Sequence, residues 1–259
     1  MLLQLHEWGE RAAPPLVCLH GLGGHGRRFR RLAEERLARR FRVLAPDLRG
    51  HGFSGWEPPW TIAAHATDVL ETISEAGVER AEWVGHSFGG RLVLELAGLA
   101  PDRIERAVLL DPAIQLLPHV GFDMAEDQRQ DRVYGSVDEA IEMRLEGLTA
   151  ASREFVEEEA REHLVEDKGR FRWRYCQSAV VSAFGELCTP PPPESLRVPI
   201  LLVHASEFGL VRDDQLGAYA AALSDLLDVV AVPGGHMIFW DAYAETADAV
   251  DAFLQDASA

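Results

Sequence analysis

The chain is poor in cysteine, in lysine and in long apolar runs, and each shortage excludes a class of protein. Its three cysteines, Cys18, Cys176 and Cys188, are odd in number and carry no C-x-x-C spacing. Neither a disulfide framework nor a thiolate metal site is expected. Lys168 is the lone lysine, and 25 basic residues stand against 42 acidic ones, a formal net charge of −17. That balance argues against nucleic acid and anionic membrane surfaces as partners, since both reward clustered positive charge. The one basic cluster, Arg27 to Arg40, is interleaved with Leu32, Leu37, Glu34 and Glu35 and reads as the wet face of an amphipathic helix. No apolar run reaches the length of a membrane span, and the opening Met1-Leu2-Leu3-Gln4-Leu5-His6 is too short and polar for a signal peptide. A cytoplasmic location is the resulting expectation.

What remains is a chain of 259 residues, 47% hydrophobic, enough for one large α/β domain with an inserted lobe. Strand-length apolar runs alternate with segments of helical period. Leu2–Trp8, Leu16–Leu19, Phe41–Ala45, Glu82–Val84, Arg106–Leu110, Ile200–Val203 and Val229–Val232 are expected strands. Arg28–Arg40, Thr61–Ala76 and Trp240–Phe253 are expected helices. Val/Ile/Leu-rich strands without polar alternation are covered on both faces, hence a largely parallel sheet with helices on each side. Between residues 114 and 193 the rhythm breaks. No core strand stands out there, Ser136–Leu148 and Ser152–Val165 have helical character, and Phe171–Tyr175 is ambiguous. Pro190 to Pro193 then form a stiff spacer. The expected organisation is a core of residues 1–113 and 194–259 with a helical cap, residues 114–193, too long for one crossover.

The chemistry centres on Ser87, in Gly85-His86-Ser87-Phe88-Gly89-Gly90 between the run Ala81–Val84 and the helical Arg91–Ala97. A sharp strand-to-helix turn strains its central residue and leaves no room for side chains at its flanks, which explains the glycines. The serine is lifted clear, and the next amide lies at a helix N-terminus that favours negative charge. A base is offered by His236, in the glycine-rich loop Val232-Pro233-Gly234-Gly235-His236 after the last strand. His6, His25, His65, His119 and His163 read instead as surface or helix residues. The loop Cys18-Leu19-His20-Gly21-Leu22-Gly23-Gly24 can turn an amide toward the reacting carbonyl, with Leu22 and Phe88 N–H as the expected oxyanion donors. It lacks the Lys-Ser/Thr of a phosphate loop and fits a dinucleotide fingerprint poorly, although Asp47 stands near the place such a fingerprint wants an acid.

With these pieces, together with Asp47-Leu48-Arg49-Gly50-His51-Gly52-Phe53-Ser54, the chain resembles the α/β-hydrolase superfamily, specifically its capped esterase and lipase-like branch. The resemblance covers the chain outside the cap. It implies a mostly parallel eight-stranded sheet, a cap inserted after the sixth strand, and acyl transfer through a serine ester without metal or organic cofactor. It assigns Asp47–Ser54 a scaffold role. It also places an aspartate just after the seventh strand, where this chain has Phe208 or Gly209.

Two acids compete for the vacated role. Asp111 closes the strand Ala107–Leu110 ahead of Pro112, and Glu207 stands one residue from the expected position; Asp213 and Asp214 are more distant. One residue of shift near a strand end can reverse a side chain's direction. The expected function is hydrolysis of a small-molecule carboxylic ester through an acyl-enzyme. A carbon–carbon bond hydrolase using the same triad and a non-catalytic ligand binder on the same scaffold are the alternatives. Displacement at saturated carbon, as in haloalkane dehalogenases and epoxide hydrolases, needs a carboxylate where this chain has Ser87. Leu22, Phe88, Leu116, Leu117, Phe184 and Met237 are the apolar candidates for the pocket.

Overall fold

In strands β1 (Leu5–Trp8), β2 (Pro15–Leu19), β3 (Arg42–Pro46), β4 (Ala81–His86) and β5 (Ile104–Leu110) apolar side chains sit on both sides of the chain, so both faces need cover. The computed structural model, which describes residues 1–130, 132–146, 153–191 and 197–255, supplies it. On one face Val17, Leu19, Leu44, Trp83 and Leu109 pack against α2 (Ile62–Glu75) and α3 (Phe88–Leu99). On the other, Leu16, Cys18, Val43, Val84 and Val108 pack against Phe29, Leu32 and Leu37. Burial of Cys18 pushes its thiol well up, which suits an inert core position.

Phe29 to Leu37 belong to the expected helix 28–40, which is not a regular one. Gly26–Phe29 forms a 3₁₀ turn, α1 is the single turn Arg30–Leu32, and Ala33–Leu37 is π-helical, with Ala38 N–H donating to Ala33 O at 2.8 Å. Nor is its arginine face simply wet. Arg28 is buried, and Arg36 and Arg40 pair with Asp248 and Asp251.

After β5 the chain leaves the sheet and forms α4 (Pro118–Gln128), α5 (Val137–Glu146), α6 (Arg153–His163), the antiparallel hairpin β6 (Leu164–Asp167) and β7 (Arg170–Trp173), and α7 (Gln177–Glu186). The ambiguous Phe171–Tyr175 run is therefore mostly strand. The helix expected over 152–165 stops at His163 because the hairpin begins at Leu164. Leu148, Ser152, Pro192 and Pro193, named in the expected helices and spacer, lie outside the described residues. Tyr134, Ala140, Ile141, Val156, Ala160 and Trp173 make a small core within this insertion, whereas Val180 and Phe184 of α7 join the main core.

The chain returns through β8 (Ile200–Ala205), α8 (Asp213–Leu223), β9 (Leu227–Val232), α9 (Ile238–Asp241) and α10 (Tyr243–Gln255). The sheet order is β1-β3-β2-β4-β5-β8-β9, parallel throughout except for β1, which pairs antiparallel with β3. It has seven strands among the described residues, not eight. A single strand precedes β2 and closes that edge, so the insertion follows the fifth strand of the sheet rather than the sixth. The pairing of Gly85 with Leu109 and of Leu110 with Val203 brings the carboxyl ends of β4, β5 and β8 side by side. Ligands of open parallel sheets bind at that edge.

Asp47, just beyond β3, organises the loop beneath it. Its Oδ1 accepts from Gly26 N–H at 2.8 Å and His6 Nε2 at 3.0 Å, and its Oδ2 accepts from Phe53 N–H at 2.9 Å. Burial pushes its pKa up, but the hydrogen bond and charge of His6 and the Phe53 amide outweigh it and hold the carboxyl below its ordinary 3.8. A carboxylate depressed in the folded state stabilises above its unfolded pKa and stops doing so as pH falls through the folded one. Asp47→Ala is expected to lower unfolding free energy by about 2 kcal/mol at pH 7, because the buried Gly26 amide and the part-buried Phe53 amide lose their acceptor. In urea melts followed by tryptophan fluorescence, the gap from wild type should shrink below about pH 4. A gap constant down to pH 2.5 would exclude this account.

Candidate active site

Ser87 sits between β4 and α3 with φ 55° and ψ −117°, a conformation that strains any residue with a side chain. It persists because its surroundings leave no alternative. Its N–H donates to Leu110 O at 3.0 Å and its carbonyl accepts from Arg91 and Ala113 N–H at 3.1 and 3.0 Å. The flanks are tight: a Cβ on Gly85 would lie 2.5 Å from Gly89 O, and one on Gly89 would lie 2.0 Å from Leu19 O.

Gly21 passes directly over the serine, since a Cβ there would lie 2.9 Å from Ser87 Cβ and 3.4 Å from its Oγ. The peptide that follows is held by His20. That ring accepts from Leu48 N–H at Nε2 (2.9 Å), so the proton is on Nδ1, which donates to Gly21 O at 2.8 Å. Burial holds His20 far below its usual pKa and keeps it neutral. In a trans peptide the C=O and N–H point in opposite directions, so fixing Gly21 O also aims Leu22 N–H. Neither Leu22 nor Phe88 N–H donates to a backbone carbonyl in the surrounding turns among the described residues. Both amides are available, that of Phe88 at the first position of α3.

Asp111 and His236 come together at the other side. Asp111 is fully buried, with φ 38°. Its N–H donates to Val203 O at 2.7 Å and its Oδ1 accepts from Ala205 N–H at 3.1 Å, which leaves Oδ2 on His236 Nδ1 at 2.6 Å. His236 keeps a quarter of its side chain exposed. Its carbonyl accepts from His86 Nε2 at 3.0 Å, so the histidine before the nucleophile anchors the loop of the base. Burial and the neighbouring His236 hold His86 neutral.

Glu207 does not join this pair. It is exposed, and its Oε1 accepts from Gly234 N–H at 3.2 Å. Its neighbour Phe208, near the place where resemblance wanted an aspartate, stacks on the His236 ring at 4.9 Å and 17°. Asp213 and Asp214 open α8, with Asp214 paired to Arg212, and the imidazole's carboxylate partner is Asp111. The six apolar pocket candidates do not share one wall. Phe88, Leu116 and Phe184 lie in the core on the α2 and α3 side, and Leu22 packs against it. Met237 lies in the opposite core, and Leu117 is exposed.

Three histidines read as surface or helix residues are buried beside this centre. His65 packs edge-on to Phe88 at 5.1 Å, and His25 stacks on His163 of α6 at 3.3 Å. Burial lowers all three, His65 and His163 to about 3. The structure also joins Arg28, near the glycine loop, to Glu159 of α6 at 2.6 Å. The residues are 131 apart in sequence, and no local pattern links them. His20 and His86 do carry a local signal, since one opens the glycine loop and the other precedes the nucleophile. Among the described residues no three His, Cys, Asp or Glu side chains converge to hold a metal ion.

Ser87 on its strained turn and the imidazole of His236 on buried Asp111 both stand at the carboxyl edge of the parallel sheet. The chain belongs to the alpha/beta hydrolase fold family, whose model matches residues 14–243. It is 32% identical over 250 residues to the lipase LipV of Mycobacterium tuberculosis, covering 92% of this chain and 93% of that one. It is 27% identical over 258 residues to the sn-1-specific diacylglycerol lipase ABHD11 of Mus musculus, covering 95% and 82%. In fold it is similar to E-2-(acetamidomethylene)succinate hydrolase, with TM-score 0.87, 22% identity, and coverage of 97% of this chain and 94% of that one. Lipase and esterase names among the relatives make it a hydrolase of the ester-cleaving kind at family level.

Proposed function

We propose that the chain is a serine hydrolase that cleaves carboxylic esters of small molecules through an acyl-enzyme, with Ser87 as nucleophile, His236 as base and Asp111 as orienting acid. The observation that carries this reading is the 2.6 Å contact from buried Asp111 Oδ2 to His236 Nδ1. It puts the proton on Nδ1 and leaves Nε2 as the acceptor a serine proton needs. His236 removes that proton as Ser87 Oγ attacks the ester carbonyl. The tetrahedral oxyanion takes hydrogen bonds from Leu22 and Phe88 N–H. His236 then protonates the leaving alcohol, and the acyl group stays on Ser87. Water, deprotonated by the same imidazole, attacks the acyl-enzyme, and collapse returns the proton to Ser87 as the acid leaves. The insertion, residues 114–193, serves as a cap over this edge of the sheet.

The test is hydrolysis of p-nitrophenyl esters from acetate to laurate, with a fluorophosphonate probe and mass spectrometry locating the labelled residue. Ester turnover with label on Ser87 is the expected result. Turnover of a vinylogous 1,5-diketone with poor ester activity would reassign the same residues to carbon–carbon bond cleavage. A protein inert on all esters and unlabelled at Ser87 would overturn the catalytic reading altogether.

A further inference from the structure

The arginines that open the segment Arg27 to Arg40 face α6 of the insertion, and α6 answers with acids. Arg27 pairs with Glu162 at 2.8 Å and Arg30 pairs with Glu158, both half-exposed. Between these outer pairs lies a buried one. Glu159 Oε1 accepts from Arg28 Nε at 2.6 Å and lies 3.2 Å from His25 Nε2, and its Oε2 accepts from Arg144 Nη2 at 3.3 Å. Burial penalises the Glu159 carboxylate, yet the charges of Arg28 and Arg144 and the His25 contact hold it well below the usual range.

The far side of Arg28 reaches the glycine loop. Its Nη2 donates to Gly23 O at 3.3 Å, and a Cβ on Gly24 would lie 2.8 Å from its Nη1. The loop is thus gripped twice. His20 fixes the peptide carrying Leu22 N–H, and Arg28 holds the carbonyl of Gly23, two residues further along the chain. Tyr175, from the same insertion, closes over it, within 3.7 Å of where a Gly23 Cβ would stand. A guanidinium has a planar fork of donors, so its grip on Gly23 depends on which way the fork is held. Glu159 holds it.

We propose that Glu159 is a positioning residue for the glycine loop: through Arg28 it clamps the loop that carries the Leu22 amide, so that the oxyanion site is complete only when α6 is docked. This rests on the reading of Leu22 as an oxyanion donor. The amide interacts with charge that develops in the transition state, so its misplacement lowers kcat and leaves KM nearly unchanged. The loss is also the same for every acyl chain, because all esters share the carbonyl oxygen. A wall of the substrate pocket would behave otherwise, changing KM in a way that depends on chain length.

The test compares wild type, Glu159→Gln and the double variant Arg28→Met/Glu159→Leu. Replacing both members of a buried ion pair by apolar residues of similar volume commonly preserves folding, whereas removing one leaves a buried charge; Arg144, the other guanidinium on Glu159, is a fifth exposed and keeps access to water in the double variant. Turnover on p-nitrophenyl acetate, butyrate and octanoate is normalised to Ser87 titrated to completion with fluorophosphonate. The expected kcat falls about tenfold in Glu159→Gln and about 100-fold in the double variant, equally on all three esters, with KM within about threefold. In hydrogen exchange the peptide 18–28 of the double variant opens at least about tenfold faster, while β4 and β5 keep wild-type protection. A double variant with wild-type kcat, or losses confined to KM and graded by chain length, overturns the proposal. If wild type itself hydrolyses no ester, the esterase reading has failed, and the exchange rate of 18–28 alone decides whether Glu159 clamps the loop.

Discussion

Asp111→Asn should lower kcat/KM on a p-nitrophenyl ester by about 10⁴-fold, with little change in fold or stability. The size of the loss follows from which way the new amide must face. In the wild type Asp111 Oδ1 accepts from Ala205 N–H at 3.1 Å, and that backbone donor remains in the variant. An asparagine can satisfy it only by turning its carbonyl oxygen toward Ala205, which aims its NH₂ at His236 Nδ1. The reverse orientation would set two donors against each other in a site with no exposed surface. His236 must then carry its proton on Nε2, where the serine proton should go. The imidazole is shaped correctly and protonated on the wrong nitrogen. Glu207→Gln is the matching control. The hydrogen bond its side chain accepts from Gly234 N–H is exposed and survives with an amide oxygen, so activity should stay within about twofold. Collapse of Glu207→Gln with Asp111→Asn still active would transfer the orienting role to Glu207.

The choice between those acids shows where sequence reading stops. Both lie at ends of neighbouring strands, one beyond β5 and the other beyond β8, and alternation along a strand sets which way each would point. Asp111 escapes that rule through its backbone, whose φ of 38° is a left-handed conformation uncommon for aspartate and unmarked by any glycine. Phe208 is the converse. Its position is readable as the place where an acid is missing, but not that its ring would stack on His236. The fold is legible further, since unalternating runs such as Ile200–Val203 suffice to set strands in a doubly covered sheet. Arg28 defeats the pattern. A helix-period segment rich in arginine reads as solvated unless the acid that buries one of them is known, and Glu159 belongs to an element of the insertion. Pairs of that kind are tertiary, and no window of sequence contains both members.

Ser87→Gly should abolish turnover, a loss of about 10⁵-fold or more, and should make the protein more stable. The nucleophile's oxygen is gone, and neither His236 nor the amides of Leu22 and Phe88 can replace a covalent step. The gain comes from the same residue. A serine at φ 55°, ψ −117° lies outside the regions open to side-chain-bearing residues, at a strain of about 1–3 kcal/mol, and glycine adopts those angles freely. Glycine's greater freedom in the unfolded chain offsets about 0.5–1 kcal/mol of that. The net expectation in urea melts is a stabilisation of about 1 kcal/mol. Ser87→Ala separates the two effects. It removes the oxygen but keeps the Cβ and its strain, so it should be as inactive as the glycine variant and no more stable than about wild type. The strain is held in place by ties on either side, from Ser87 N–H to Leu110 O and from Arg91 and Ala113 N–H to Ser87 O, and glycine keeps all three. Equal stability of the glycine and alanine variants would show that the turn carries no strain. A Ser87→Ala protein that still hydrolyses activated esters would remove the serine from the mechanism.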